Sequence, residues 1–109
     1  MKTGDTLYMV KNCVDPADAA RFLHWMENKH MPDVLALPGV LWGRKVALEE
    51  KDERGWDCHL LIYGFESRDA LEAYLTGDAR KGFWEELKAF EDIHDGERFF
   101  GTIDFSVGG

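Results

Sequence analysis

One histidine, one aspartate, one arginine and two tryptophans stand close together between Trp25 and Arg44. His30 titrates near neutrality, because an unperturbed imidazole has a pKa of ~6.5. It can therefore act as general base or general acid. Asp33, three residues on, is near enough to accept a hydrogen bond from the imidazole and fix its tautomer. The same pair can also be structural, with His30 capping a helix and Asp33 opening a short turn from Pro32 to Ala36. Arg44 shares an alternating strand face with Val40, Trp42, Val46 and Leu48. A cation among apolar neighbours must reach water, stack on an aromatic ring or meet an anion. It reads either as an anchor for a substrate carboxylate or phenolate, or as an ion pair or a stack over Trp42. His59 and Tyr63 fall on one face of a later strand and can donate into the same cavity. Tyr74 is an amphipathic helix residue with its hydroxyl at the rim. His24 faces water, and His94 sits beside a turn and reads as surface.

Other chemistries have no residues to carry them. Phosphate-binding glycine loops, a GxSxG elbow, HExxH and paired Cys/His zinc ligands do not occur in the chain. No metal and no nucleotide cofactor are therefore expected. The net charge of −8 argues against nucleic acid and against an anionic membrane surface as partners. No apolar run is long enough to span a bilayer and no secretory pattern opens the chain, so cytoplasmic residence is the expectation. Cys13 and Cys58 form no C-x-x-C motif and read as reduced small hydrophobes in strands. Seven phenylalanines, four tryptophans and three tyrosines suit a bulky core or dimer interface, or a pocket for a flat apolar ligand.

Hydrophobic periodicity supplies the elements that must position these groups. Leu7 to Val14 reads as a first strand. Asp15-Pro16 opens a helix with the apolar stripe Ala19, Phe22, Leu23 and Met26, which His30 continues. Pro32 lacks a donor and disfavours helical geometry at Met31, so the helix is expected to stop near His30. Pro38-Gly39 turns the chain into a strand from Val40 to Glu49, and a charged hairpin loop leads to a third strand, Trp56 to Phe65. That strand is apolar on both faces, so its sheet should be covered on both sides. Helices can cover one side, and the other needs a partner. Ser67 caps a helix that ends at Gly77, and Asp78 caps another carrying Phe83, Leu87 and Phe90. Asp95-Gly96 reads as a turn before a last strand, Arg98 to Val107. The order is β-α-β-β-α-β over one domain, residues 1–109: an α+β, ferredoxin-like split arrangement with a four-stranded antiparallel sheet.

The stretch Trp25, His30, Pro32, Asp33, Leu37, Pro38, Gly39 and Arg44 resembles the EthD-like branch of the dimeric α+β barrel superfamily. The resemblance implies a homodimer in which two sheets face each other, and a cavity between helices and sheet in each protomer. The segment from Glu66-Ser67 through Tyr74 to Phe83 resembles the related stress-responsive barrel domains, which include polyketide cyclases. There a tyrosine and a histidine do acid–base work; Tyr74 matches the tyrosine, but Arg80 stands at the histidine's place.

Residues and resemblance together point to a cofactor-independent enzyme doing lyase, cyclase or isomerase chemistry on a small aromatic, polyketide-like or ether-type molecule. His30 is the acid–base and Asp33 its orienter. Arg44, Trp42, Trp25, Tyr63, Tyr74 and His59 hold the substrate, which carries an anionic group where Arg44 anchors it. A non-catalytic binder of hydrophobic small molecules and a cofactor-free monooxygenase are the alternatives.

Overall fold

The computed structural model describes residues 1–108. Four strands, Thr6–Val14 (β1), Val40–Lys51 (β2), Asp57–Phe65 (β3) and His94–Thr102 (β4), form one antiparallel sheet in the order β2-β3-β1-β4. This is the ferredoxin-like split arrangement. Both crossovers lie on one face. Under them Tyr8, Val10 and Val14 of β1 and Leu61, Tyr63 and Phe65 of β3 are buried. Period-two alternation accounts for this set, and it packs against Phe22, Met26, Val34, Leu71, Phe83 and Phe90 from the helical layer.

The other face carries no helix. Its rows run Phe99–Met9–Ile62–Arg44 and Glu97–Lys11–Leu60–Val46 across the four strands. Val46 and Phe99 are 43% and 41% exposed, so the apolar second face of β3 and its neighbours lies open in the single chain.

The first helical region does not stop at Pro32. It runs as α1, Ala19–Trp25, a π-helical turn, Met26–His30, and α2, Met31–Leu35, with helical dihedrals at His30 and Met31. A proline inside a helix lacks the N–H and its ring collides with the carbonyl four residues back. The π turn widens the backbone one residue ahead, where the Met31 N–H donates to the Met26 carbonyl. It also keeps the buried residues in line. Phe22, Met26, His30 and Val34 are all buried at a spacing of four. At 100° per residue that spacing drifts by about 40° a step in a regular helix, and a wider turn takes up the drift.

Ser67 caps α3, Arg68–Thr76, accepting the Ala70 N–H at 3.0 Å. α4, Asp78–Leu87, follows Gly77 directly and ends in a short 3-10 turn, Lys88–Phe90. β4 begins earlier than its sequence suggests. Asp95 and Gly96, expected to turn, lie in the ladder opposite Cys13 and Asn12, so pairing with β1 overrides the local turn preference. In β2 a bulge sets Val40 opposite Phe65 and Trp42 opposite Gly64. Val40 thus joins the helix-covered face, not the face of Trp42 and Arg44.

Cys13 and Cys58 are not free thiols: they form a disulfide. Their spacing in the chain is silent on this. The β1–β3 register places them directly opposite each other on the open face. The bond closes a loop of sequence separation 45, worth about 4 kcal/mol in the chain-entropy account.

Gly39 turns α2 into β2 with φ of 82°, and a Cβ there would stand 2.6 Å from the Ala70 Cβ. Gly39→Ala should lower stability by about 1–3 kcal/mol from the backbone conformation alone, with the α3 contact adding to it. Urea unfolding should show Ala70→Gly recovering only the second part.

Candidate functional site

Between sheet and helices lies a cavity of about 30 Å³. His30 reaches it from the end of the π turn, Tyr8 and Tyr63 from the sheet, and Tyr74 from α3. Arg80 and Trp84 from α4 and Arg98 from β4 stand around it as well. The volume suits a water molecule or two, so a larger guest must displace side chains.

Two polar atoms lining this space, His30 Nδ1 and Tyr63 Oη, are buried and find no hydrogen-bond partner in the protein. Buried polar atoms are nearly always paired, and leaving one unpaired costs roughly 1–3 kcal/mol. Both residues line the same cavity, where a water molecule or a guest would be within reach to supply the missing bonds. The imidazole stacks on Trp25, 4.8 Å between centroids and 22° between planes, and takes Phe83 edge-on at 4.9 Å. Burial in this aromatic box pushes the His30 pKa down to about 4, against the milder pull of Glu86 and Asp33. Tyr63 is pushed up beyond the ordinary phenol range, first by burial and then by neighbouring tyrosines. Tyr74 is pushed up to about 12 by burial, with Arg80 and Arg98 opposing. At neutral pH the site is thus an uncharged imidazole among protonated phenols.

His30, Tyr63 and Tyr74 meet at this cavity, and Trp25 forms the wall behind the imidazole. Asp33 does not hold the His30 ring. Its carboxylate binds Lys29 Nζ at 2.6 Å, and Lys29 also reaches Glu86, which accepts the Trp25 indole N–H at 3.2 Å. Three residues along a helix place Asp33 beside Lys29, four back, rather than over the ring. His59 shares the face of Tyr63 but is engaged elsewhere: its Nδ1 lies 3.4 Å from Lys45 Nζ, itself paired with Glu27. Burial and then Lys45 lower its pKa.

Arg44 and Trp42 lie on the open face of the sheet and do not reach the cavity. Arg44 donates to its neighbour's carbonyl and sits over the Trp42 ring at 5.6 Å. Trp42 lies against Gly64, where a Cβ would come within 2.2 Å of the indole, and donates to Asp5. The β2 alternation separates these two from His30.

Arg98, Tyr8 and Trp84 went unnoticed in the sequence. Alternation puts Arg98 on the face opposite Phe99, but the sequence does not show which of the two faces the helices cover. With β4 starting at His94, Arg98 stands opposite Val10 on the covered face and donates from Nε to Tyr8 Oη at 3.0 Å. Among the described residues, the Cys13 and Cys58 sulfurs and the Asp52 carboxylate lie within 4.8 Å of one another, but both sulfurs are spent in the disulfide.

Residues 5–94 match the family profile described as a domain of unknown function, DUF4286. No curated protein matches in sequence. Among solved structures, the chain is similar to a mutant of SnoaB, a cofactor-independent oxygenase from Streptomyces nogalater. The TM-score is 0.70 at 17% identity, over 96% of this chain and 99% of that one. ActVA-Orf6, a monooxygenase from Streptomyces coelicolor in complex with nanaomycin D, superposes with a TM-score of 0.69 at 16% identity, covering 97% and 93%. An ethyl tert-butyl ether D (EthD) family protein from Bacillus halodurans gives 0.64 at 15%, covering 88% and 96%. At these identities the likeness is one of fold.

Linkage gives a test of the imidazole's environment. The folded-state pKa of His30, about 4, lies below the unfolded value, so in that window the unfolded chain binds the extra proton. The stability gained by keeping the ring neutral is complete above pH ~6.5 and is lost as pH falls through about 4, a change of about 3 kcal/mol. Urea midpoints of the wild type should fall over this range more steeply than those of His30→Asn. Equal slopes would refute the buried neutral imidazole.

Proposed function

We propose that this chain, which belongs to the DUF4286 family, is a cofactor-independent enzyme that removes a proton from a small aromatic or polyketide-like substrate. The observation that carries the reading is the pair of unpartnered buried atoms, His30 Nδ1 and Tyr63 Oη, on one cavity. With its proton on Nε2, the imidazole offers Nδ1 as an acceptor for a substrate O–H or activated C–H. Tyr63, held protonated by burial, donates to the oxygen on which the electron pair gathers. The imidazolium and the oxyanion form together, so each lowers the cost of the other in a low-dielectric pocket. Return of the proton at another carbon, or expulsion of a leaving group, completes an isomerase, cyclase or lyase cycle.

A second reading shares the first step. The resonance-stabilised carbanion can itself reduce dioxygen, which makes the protein a cofactor-free monooxygenase. The likeness in fold to SnoaB and ActVA-Orf6, named as an oxygenase and a monooxygenase, favours it. Turnover under nitrogen separates the two: it persists for the proton-transfer enzyme and stops for the oxygenase. Either should work in chelator.

Phenols, hydroxynaphthoquinones and polyketide mimics are the substrates to screen. For a converted substrate, His30→Asn should cut kcat by about 10² to 10⁴ while leaving the fold intact. The wild-type kcat/KM should fall on acidification through a limb near pH 4, the free enzyme's imidazole value. A wild-type rate in His30→Asn sinks the mechanism. Binding without conversion across the panel would leave a ligand-binding protein.

The same reading includes a homodimer packed through the open sheet face. The half-buried Met9 and Ile62 and the exposed Val46 and Phe99 set apolar side chains on a sheet face that no helix covers, which supports a partner there. Light scattering at micromolar concentration should give twice 12.5 kDa. Met9→Glu should give monomers, and a monomeric wild type would remove this claim.

A further inference from the structure

We propose that the mouth of the cavity binds the carboxylate of an aromatic acid, clamped by Arg80 and Arg98, with Trp84 as the plane that gives way to admit the ring. The substrate class named here deepens the catalytic reading and rests on it only in that the same cavity receives the ring.

The protein has 21 acidic and 13 basic residues other than histidine, so a cation has carboxylates to choose from. Arg21, Arg54 and Arg68 each lie against one, while Arg44 on the open sheet face stacks on Trp42 instead. Among the described residues, neither Arg80 nor Arg98 has a carboxylate oxygen within 4.0 Å. Each guanidinium uses one donor: Arg80 Nη1 on the Leu75 carbonyl at 3.3 Å, and Arg98 Nε on Tyr8 Oη at 3.0 Å. The remaining donors are free, and both groups sit over one indole, Arg98 at 4.7 Å and Arg80 at 5.6 Å from the Trp84 centroid. Both also act on Tyr74, where they oppose the effect of its burial. Two like charges gathered on one aromatic ring and one phenol, without a counter-ion, form a receptor for an anion. A guanidinium fork matches the flat geometry of a carboxylate.

The walls behind the mouth choose the rest of the ligand. Tyr8, Leu61 and Phe83 present apolar surface, and His30 and Tyr63, whose Nδ1 and Oη lack partners, are buried more deeply than the half-exposed Arg80 and Arg98. An acid with a flat ring and a hydroxyl or carbonyl on its opposite edge satisfies all three zones. Space demands a movement. The cavity of about 30 Å³ cannot take a ring as it stands, and Trp84, 44% exposed, is held over it by cation–π contacts rather than burial. A carboxylate that draws the guanidiniums away frees the indole to swing out, so recognition of the charge and opening are one event.

The probes are 6-hydroxy-2-naphthoic acid and its methyl ester, measured by titration calorimetry on the full chain at low and high salt. The acid should bind about 10- to 100-fold more tightly than the ester, the usual worth of charged hydrogen bonds. Salt should weaken the acid alone. In the double variant Arg80→Gln/Arg98→Gln the preference should collapse to within about threefold. Arg80→Lys/Arg98→Lys should keep most of it, which separates loss of charge from loss of fold. Equal affinities in the wild type, binding of neither probe, or a preference that survives in the glutamine variant would each overturn the proposal. The acid preference should persist in His30→Asn, so a failed catalytic reading leaves it standing. Conversely, His30-dependent turnover of a neutral substrate together with equal binding of acid and ester would fail this proposal alone.

Discussion

The whole site depends on one missing hydrogen. Pro32 has no N–H to give, and its ring excludes the carbonyl four residues behind it. The chain meets this by widening the preceding turn into π geometry rather than by ending the helix. The wide turn keeps Phe22, Met26, His30 and Val34 on one buried line, and it delivers His30 into an aromatic box instead of leaving it at a frayed, solvated helix end. That difference inverts the imidazole's electrostatics. A histidine at a helix C-terminus would be favoured as a cation. Enclosed by Trp25 and Phe83 it is held neutral, with a pKa near 4. π turns recur at functional positions for this reason: one extra residue re-aims a side chain without breaking the element that carries it.

The second constraint is the two-residue period of the sheet. Because successive side chains point to opposite faces, the sheet partitions its chemistry without appeal. Tyr8, Tyr63 and Arg98 fall under the helices. Lys11, Trp42, Arg44 and the Cys13–Cys58 bond fall on the open side. The sheet arginine that reaches the cavity is therefore Arg98, from an edge strand far along the chain, and not Arg44, which is the nearer to His30 in sequence.

The element order, the antiparallel sheet, the Ser67 cap and the two-sided character of β3 were legible because each follows from local pattern: alternation, helical spacing, a capping side chain. His30, Tyr63 and Tyr74 were legible as members of a covered apolar layer. What escaped the sequence was decided by pairing partners. Whether Asp95-Gly96 turns or extends depends on β1, and the register against β1 places Arg98 opposite Val10 under the helices. The Cys13–Cys58 bond depends on the register of β1 against β3. The Val40 facing depends on a bulge that only the β3 ladder reveals. The partner of Asp33 follows a strictly local rule instead: oppositely charged residues four apart on a helix meet, and its carboxylate binds Lys29.

The charge distribution around the cavity has a consequence for any chemistry performed there. A base with a pKa near 4 is a weak one, and alone it would hold a substrate proton poorly. Its strength in the reaction is set by what forms beside it. In the proposed reaction, proton transfer would create an imidazolium beside an oxyanion in surroundings of low polarity. Their mutual attraction raises the one pKa as it lowers the other. Burial holds the Tyr63 phenol protonated, so in the proposed reaction it would donate to the oxyanion without competing for the proton. The Arg80 and Arg98 guanidiniums lie on the mouth side, near the Tyr74 hydroxyl, where their field favours negative charge on the guest rather than on the protein's phenols. In the proposed reaction, an imidazole that is neutral when free and charged only when the site is loaded would stay unprotonated in water and gain strength once water is gone.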